Sequence, residues 1–191
     1  ATTRTLGVSN AAKVIGELVW ASTYSLGRFQ ILFCHVIDPR QYAIGLALWN
    51  RSKSDRDQLE MLLAAAKDSE RLTSEMREHI LWVTNQAIKL GELRNQAVHS
   101  ATFFREDGKR VSAQVTNLGT PPGKYKELKD EPNLKRKFQS VKDDLLHLTE
   151  FVNALWPTVA GFGPLPPLPQ RPQLKSTLPK APDKKKPRPK N

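Results

Sequence analysis

Cysteine is nearly absent. The 191 residues hold one, Cys34, inside an apolar run, so no disulfide and no cysteine-based metal framework can be drawn within the chain. That usage fits a reducing, cytoplasmic home. The chain also lacks a glycine-rich phosphate loop beside a strand, a nucleophile elbow, a His-Glu-x-x-His helix and any internal repeat, which removes the commonest nucleotide, hydrolase and zinc signatures. An uninterrupted membrane-length apolar run is missing too: the longest apolar region, 14–37, is broken by Glu17, Arg28, Gln30 and several hydroxyls, so a buried helix is expected and no membrane partner. No basic start, apolar stretch and small-residue cleavage site follow one another at the N-terminus.

What is abundant is positive charge, unevenly placed. Of the 30 Lys/Arg and 19 Asp/Glu, eight cations and one Asp fall within residues 164–191, leaving 22 against 18, a net +4, for residues 1–163. The same 28-residue segment holds nine of the 14 prolines. It therefore reads as an extended or disordered tail outside the core. Lys184, Lys185, Lys186 and Arg188 in it suit an anionic partner such as RNA, bound by counterion release; a solubilising tail is the plainer alternative.

Residues 1–163 read as one helical domain. Val14, Leu18, Ala21, Ser25, Phe29, Leu32 and Val36 step by three or four, one face of a helix capped by Ser9 or Asn10 and ended by Asp38-Pro39. Residues 40–51 and 54–68 form either one bent helix or two, with Ser54 and Asp57 placed as an approximate capping box. Leu72, Met76, Ile80, Val83, Ala87 and Leu90 line a third long helix beginning near Ser69 or Ser74. Phe138, Val141, Leu145, Leu148, Val152 and Leu155 line the last, which starts near Pro132 or Asn133 and is expected to end at Trp156-Pro157. Between them, residues 100–131 look like an insertion, a loop or a β-hairpin turning at Asp107-Gly108. The fold class expected is all-α, an antiparallel bundle of four to five helices with that insertion and a disordered C-terminal tail.

His79 has no second histidine four residues on, Cys34 and His35 point to different sides of a helix, and His147 lies beside a core stripe. All are expected to be structural, with neither metal nor cofactor. What remains is "RNQAVH", residues 94–99. Roughly one Arg and His with four to six residues between them is expected by chance in such a chain, and Arg28 with His35 is a second match. Context separates the two. Arg94 continues a stripe that has been apolar for five turns, and there a guanidinium loses hydration unless an anion or several acceptors meet it. Asn95 and His99, four apart, share a side of any continuing helix. Arg, Asn and His suffice for RNA cleavage: Arg94 clamps a phosphate, His99 moves protons to and from the ribose 2′-hydroxyl or the leaving oxygen, and Asn95 orients the imidazole. The plainer alternative is that Arg94 and Asn95 cap the helix end and His99 is a satisfied polar residue.

The motif and its place at the end of the third long helix resemble the HEPN domains, all-helical bundles marked by an Arg, four to six residues and a His, usually with a polar residue straight after the Arg. The match is six residues long; elsewhere the helical order over roughly 9–160 agrees in outline. The resemblance implies a homodimer whose two motifs form one cleft and a metal-independent endoribonuclease of toxin or defence type, sometimes held by an antitoxin or other partner protein. It carries Arg94 and His99 onto the catalytic pair and Asn95 onto the polar position. In one toxin branch a modifiable tyrosine stands two residues after the His. Here position 101 is Ala, so that control is not expected. Directly after the motif, the insertion either covers the cleft or supplies nucleic-acid contacts through Arg105, Lys109 and Arg110. The rival from another class is a non-catalytic helical assembly module using its basic proline-rich tail as a tether.

Overall fold

The computed structural model describes the backbone of residues 3–98, 100–104, 110–114, 129–161 and 168–176, and the side chains of 13–95, 98, 136–161 and 168–176. It is an all-α bundle. The helices are α1 (Thr3–Ile37), α2 (Tyr42–Arg51), α3 (Asp55–Asp68), α4 (Ser74–Val98) and α5 (Glu131–Ala160), with a 3-10 turn, Pro39–Gln41, between α1 and α2. Successive helices reverse direction. Cys34 meets Gly45 and Gln30 meets Asn50 across α1 and α2, whereas Glu17, Ser25 and His35 of α1 meet Lys142, Thr149 and Trp156 of α5 in ascending order. Odd-numbered helices therefore run parallel to one another and even-numbered ones against them.

Every member of the α1 stripe from Leu18 to Val36 is buried, with Val14 packed at its edge, and the stripes of α4 and α5 are buried throughout. α1 starts at Thr3, nearly two turns before the expected caps, so Ser9 and Asn10 are helix interior. The stretch 40–68 is two helices. Ser52 leaves α2 in extended conformation, and Ser54 caps α3 by accepting from the Asp57 amide at 3.1 Å. α4 is capped by Thr73, whose hydroxyl accepts from the Met76 amide at 3.2 Å. Contrary to the expected stop, α5 continues through Pro157 to Ala160 before Gly161 closes it at φ 73°. Proline removes one amide donor, but Val159 and Ala160 are buried, and that packing holds the last turn in place.

In the insertion, β1 (Ser100–Phe104) pairs antiparallel with β2 (Arg110–Gln114), Thr102 opposite Ser112, and β2 with the two-residue β3 (Lys129–Asp130). The backbone pairing agrees with a hairpin; the Asp107-Gly108 turn lies outside the described residues.

Part of the tail departs from its expected separation from the core. Residues 168–176 form an extended strap along the groove between α4 and α5, with Leu174 only 5% exposed. Arg171 sits over the Trp82 ring at 5.5 Å, Leu168 packs on the core, and Asp144 of α5 accepts from the amides of Lys175 (3.0 Å) and Ser176 (2.7 Å) and from the Ser176 hydroxyl. Proline-rich composition concealed this because the burial rests on two leucines among the prolines. Among the described residues no helix is long and apolar enough to cross a membrane.

Candidate functional site

The stripe of α4 carries Arg94 to the end of the bundle where α3 begins and α4 finishes. There its side chain is 20% exposed, and the guanidinium donates through Nη2 to Asp55 in the first turn of α3. The pairing has a local cause. A helix start favours acidic side chains, α3 supplies Asp55 and Asp57 there, and α3 and α4 run antiparallel, so α3's first turn faces α4's last. The anion that the sequence required for a guanidinium on an apolar stripe is thus intramolecular.

Asp55 does not satisfy the whole group. Among the described residues, Arg94 Nε is buried without a hydrogen-bond partner. The Arg94 side chain lines a cavity of about 30 Å³ whose walls include Ser22 and Ser25 of α1, Asp55, Gly91 and Leu145 of α5. That space holds a water molecule or two and no nucleotide. Arg56 next door is also engaged, by Glu60 at 2.8 Å and by Glu92 of α4 at 3.3 Å. Both guanidiniums at this end are therefore neutralised by carboxylates of the same protomer.

Asn95 is exposed on the last turn of α4. His99 lies outside the described residues, as do Arg105, Lys109, Lys184, Lys185, Lys186 and Arg188; Arg110 is described only as the backbone start of β2, opposite Phe104. The structure thus brings Arg94 to Asp55, a partner invisible to a search confined to "RNQAVH". Its only sequence signal was an acidic residue at a predicted helix start.

The other candidates sit in structural surroundings. His35 is 7% exposed, stacked 5.2 Å from the Trp156 ring, and burial, with Arg71 nearby, pulls its imidazole below the ordinary value. His79 stacks on Phe151 and its Nδ1 meets the Glu75 carbonyl at 3.0 Å. Burial pushes the Cys34 thiol up, which suppresses the reactive thiolate. His147 is exposed on α5. Among the described residues no three His, Cys, Asp or Glu side chains gather as a metal site.

Comparison with protein-family models, curated proteins and solved structures finds no match to this chain. The functional reading therefore stands on the residues themselves.

Proposed function

We propose that the chain is a HEPN-like, cytoplasmic RNA-binding bundle that cleaves RNA as a homodimer without a metal, in a toxin or defence role. The observation that carries this is the incomplete satisfaction of Arg94: a mostly buried guanidinium at the end of an apolar stripe, held by one carboxylate and, among the described residues, with Nε unpaired. A phosphate that displaced Asp55 would offer two acceptors in the geometry a guanidinium fork prefers. Asn95, exposed one residue on, is free to face a substrate or a second protomer.

In this reading the ribose 2′-hydroxyl attacks the adjacent phosphorus. One His99 imidazole accepts the hydroxyl proton, and the imidazolium of the other protomer's motif donates a proton to the departing 5′-oxygen. The P–O5′ bond breaks, leaving a 2′,3′-cyclic phosphate and a 5′-hydroxyl. Arg94 stabilises the charge that accumulates on the non-bridging oxygens. Supporting self-association, large apolar side chains stand exposed on α1 and α2: Trp20 (60%), Tyr24, Ile44 and Leu48. Trp20 and Tyr24 stack on each other with ring centroids 5.4 Å apart, one continuous apolar surface on α1.

The second reading, a non-catalytic assembly module, is favoured by the Arg94–Asp55 pair itself, which ties α3 to α4 as a structural ion pair would. Incubating wild type, Arg94→Ala and His99→Ala with labelled single-stranded and structured RNA in EDTA separates the two, with circular dichroism and sedimentation on each protein. Scission by wild type alone, ending in cyclic phosphate, is expected. Intact RNA throughout, with all three proteins folded and dimeric, would replace the nuclease by the assembly module.

A further inference from the structure

Arg94 and Arg56 are both met by carboxylates, whereas among the described residues Arg28 of α1 meets none. Its guanidinium lies 5.0 Å from the centre of the Tyr24 ring, one turn back along the helix, and donates through Nη2 to the Tyr24 hydroxyl at 3.1 Å. Another turn back, the Trp20 ring stacks on Tyr24 with centroids 5.4 Å apart and planes 3° from parallel. Trp20, Tyr24 and Arg28 therefore form a column of three flat groups, each held by the next through an i, i+4 contact.

The column ends in an open face. Helix side chains lean toward the N-terminus, so the outer side of the indole looks toward the turn before it. The residue of that turn on the same row is Gly16, and among the described residues nothing lies within 4 Å of the place a Cβ on it would take. Trp20 is accordingly 60% exposed, more than any other large apolar side chain among the described residues. The 5.4 Å separation leaves no room for a third ring between Trp20 and Tyr24, so a planar ligand is received on the outer indole face. The electrostatics suit a planar group carried on an anionic backbone. Exposed Lys13 and Arg28 bracket the column, about 22 Å apart along α1. Glu17, the carboxylate before Trp20, is compensated: Lys142 of α5 donates to it at 2.8 Å, and that bond and charge hold its carboxyl below the ordinary range.

We propose that Trp20, backed by Tyr24 and Arg28, is a stacking platform for a base of single-stranded RNA, with Arg28 and Lys13 contacting the flanking phosphates. The proposal rests on the RNA reading above. Parallel rings closed by a guanidinium suit a nucleobase, because every base has a π-face and stacks with little regard to sequence. Holding the rings in place before binding also removes the ordering cost that a lone exposed tryptophan would meet. The aliphatic pair exposed on α2, Ile44 and Leu48, belongs to another surface. α2 meets α1 at Gln30, Phe33 and Cys34, about a third of a turn round the helix from the column. Those aliphatics remain for a second copy of the chain.

The test uses the full chain in EDTA with a short 2′-O-methyl oligouridylate, whose blocked 2′-oxygen cannot attack the phosphate, and an abasic strand of the same length. Trp20→Leu keeps an apolar side chain but removes the ring face. Its affinity for the oligouridylate is expected to fall by about fivefold or more, with its affinity for the abasic strand equal to that of wild type. Trp20→Phe should lose much less, and Arg28→Gln should weaken binding to both strands. Sedimentation of every variant is expected to match the wild type. Equal affinity of wild type and Trp20→Leu for the oligouridylate would overturn the platform and leave RNA binding to other residues. A shift of Trp20→Leu to a smaller species would overturn it as well, and assign the column to the contact between protomers. Absence of binding by the wild type to either strand would remove the RNA reading itself, and the platform with it.

Discussion

Arg94 and Asp55 form a half-exposed pair in which the two functional readings make opposite demands on the same carboxylate. The pair's net stabilisation is small, about 1 kcal/mol or less, because half of Asp55 faces water. Asp55→Asn should therefore leave the fold intact, lowering stability in urea by about that amount. If Arg94 is a phosphate clamp, the same change frees a guanidinium and should tighten RNA binding severalfold. As a purely structural pair it would leave RNA binding untouched, and Asp55→Asn and Arg94→Ala would show matched losses of stability. His35 gives a prediction in pH. Burial, aided by Arg71, holds its folded value below the ordinary 6.5, so near that pH the unfolded chain binds more protons than the folded one. Stability is then fully present above pH 6.5 and is lost as pH falls through the lower folded value. Urea midpoints measured from neutral to mildly acid pH should fall with pH, and His35→Phe, which retains a ring against Trp156, should remove that part of the slope.

Elements were legible wherever an apolar face ran unbroken. The stripes of α1, α4 and α5 could be read residue by residue because burial on one side of a helix imposes the three-four spacing, and the side chains from Leu18 to Leu155 in those stripes are the core. Boundaries were less legible. Pro157 looked like a stop, but tertiary packing of Val159 and Ala160 outweighed one missing hydrogen bond. The α1–α2 junction rests on a contact that spacing could not reveal. A Cβ built on Gly45 would lie 2.9 Å from the Cys34 Cα, a backbone atom that cannot step aside. Gly45→Ala must push the two helices apart, and overpacking of this kind costs about 1–3 kcal/mol. A drop of that size in the urea midpoint stability is expected, with Phe33 and Trp49, whose rings lie 5.2 Å apart, losing contact first. A neutral Gly45→Ala would mean that α2 packs less closely than described. The candidate site was half legible: Arg94 stood out as the charge on an apolar stripe, while Asp55 came to it through antiparallel packing of α3 on α4, which no local window contains.

For the molecule as a whole, composition divided the chain at Pro164, and packing divides it about a dozen residues later. Treating 164–191 as one tail would mix two effects in any truncation. Removing everything from 164 strips Leu174 from the core and leaves the Asp144 carboxylate buried without its strap donors. Burial of one leucine contributes about 1.5–3 kcal/mol, and an orphaned buried acceptor adds a penalty of about 1–3 kcal/mol. That truncation should lower the Tm by many degrees and weaken RNA binding through the fold. Ending the chain after Ser176 removes six Lys/Arg and one Asp while leaving every strap contact in place. This shorter cut should leave the Tm unchanged. If the removed cations contact single-stranded RNA, each contributes about 0.7 to the slope of log affinity against log salt, so the slope should flatten by up to about 4 units. Matched melting curves with unchanged salt slopes would assign the tail to solubility, and the strap would then remain as a nine-residue extension of the core.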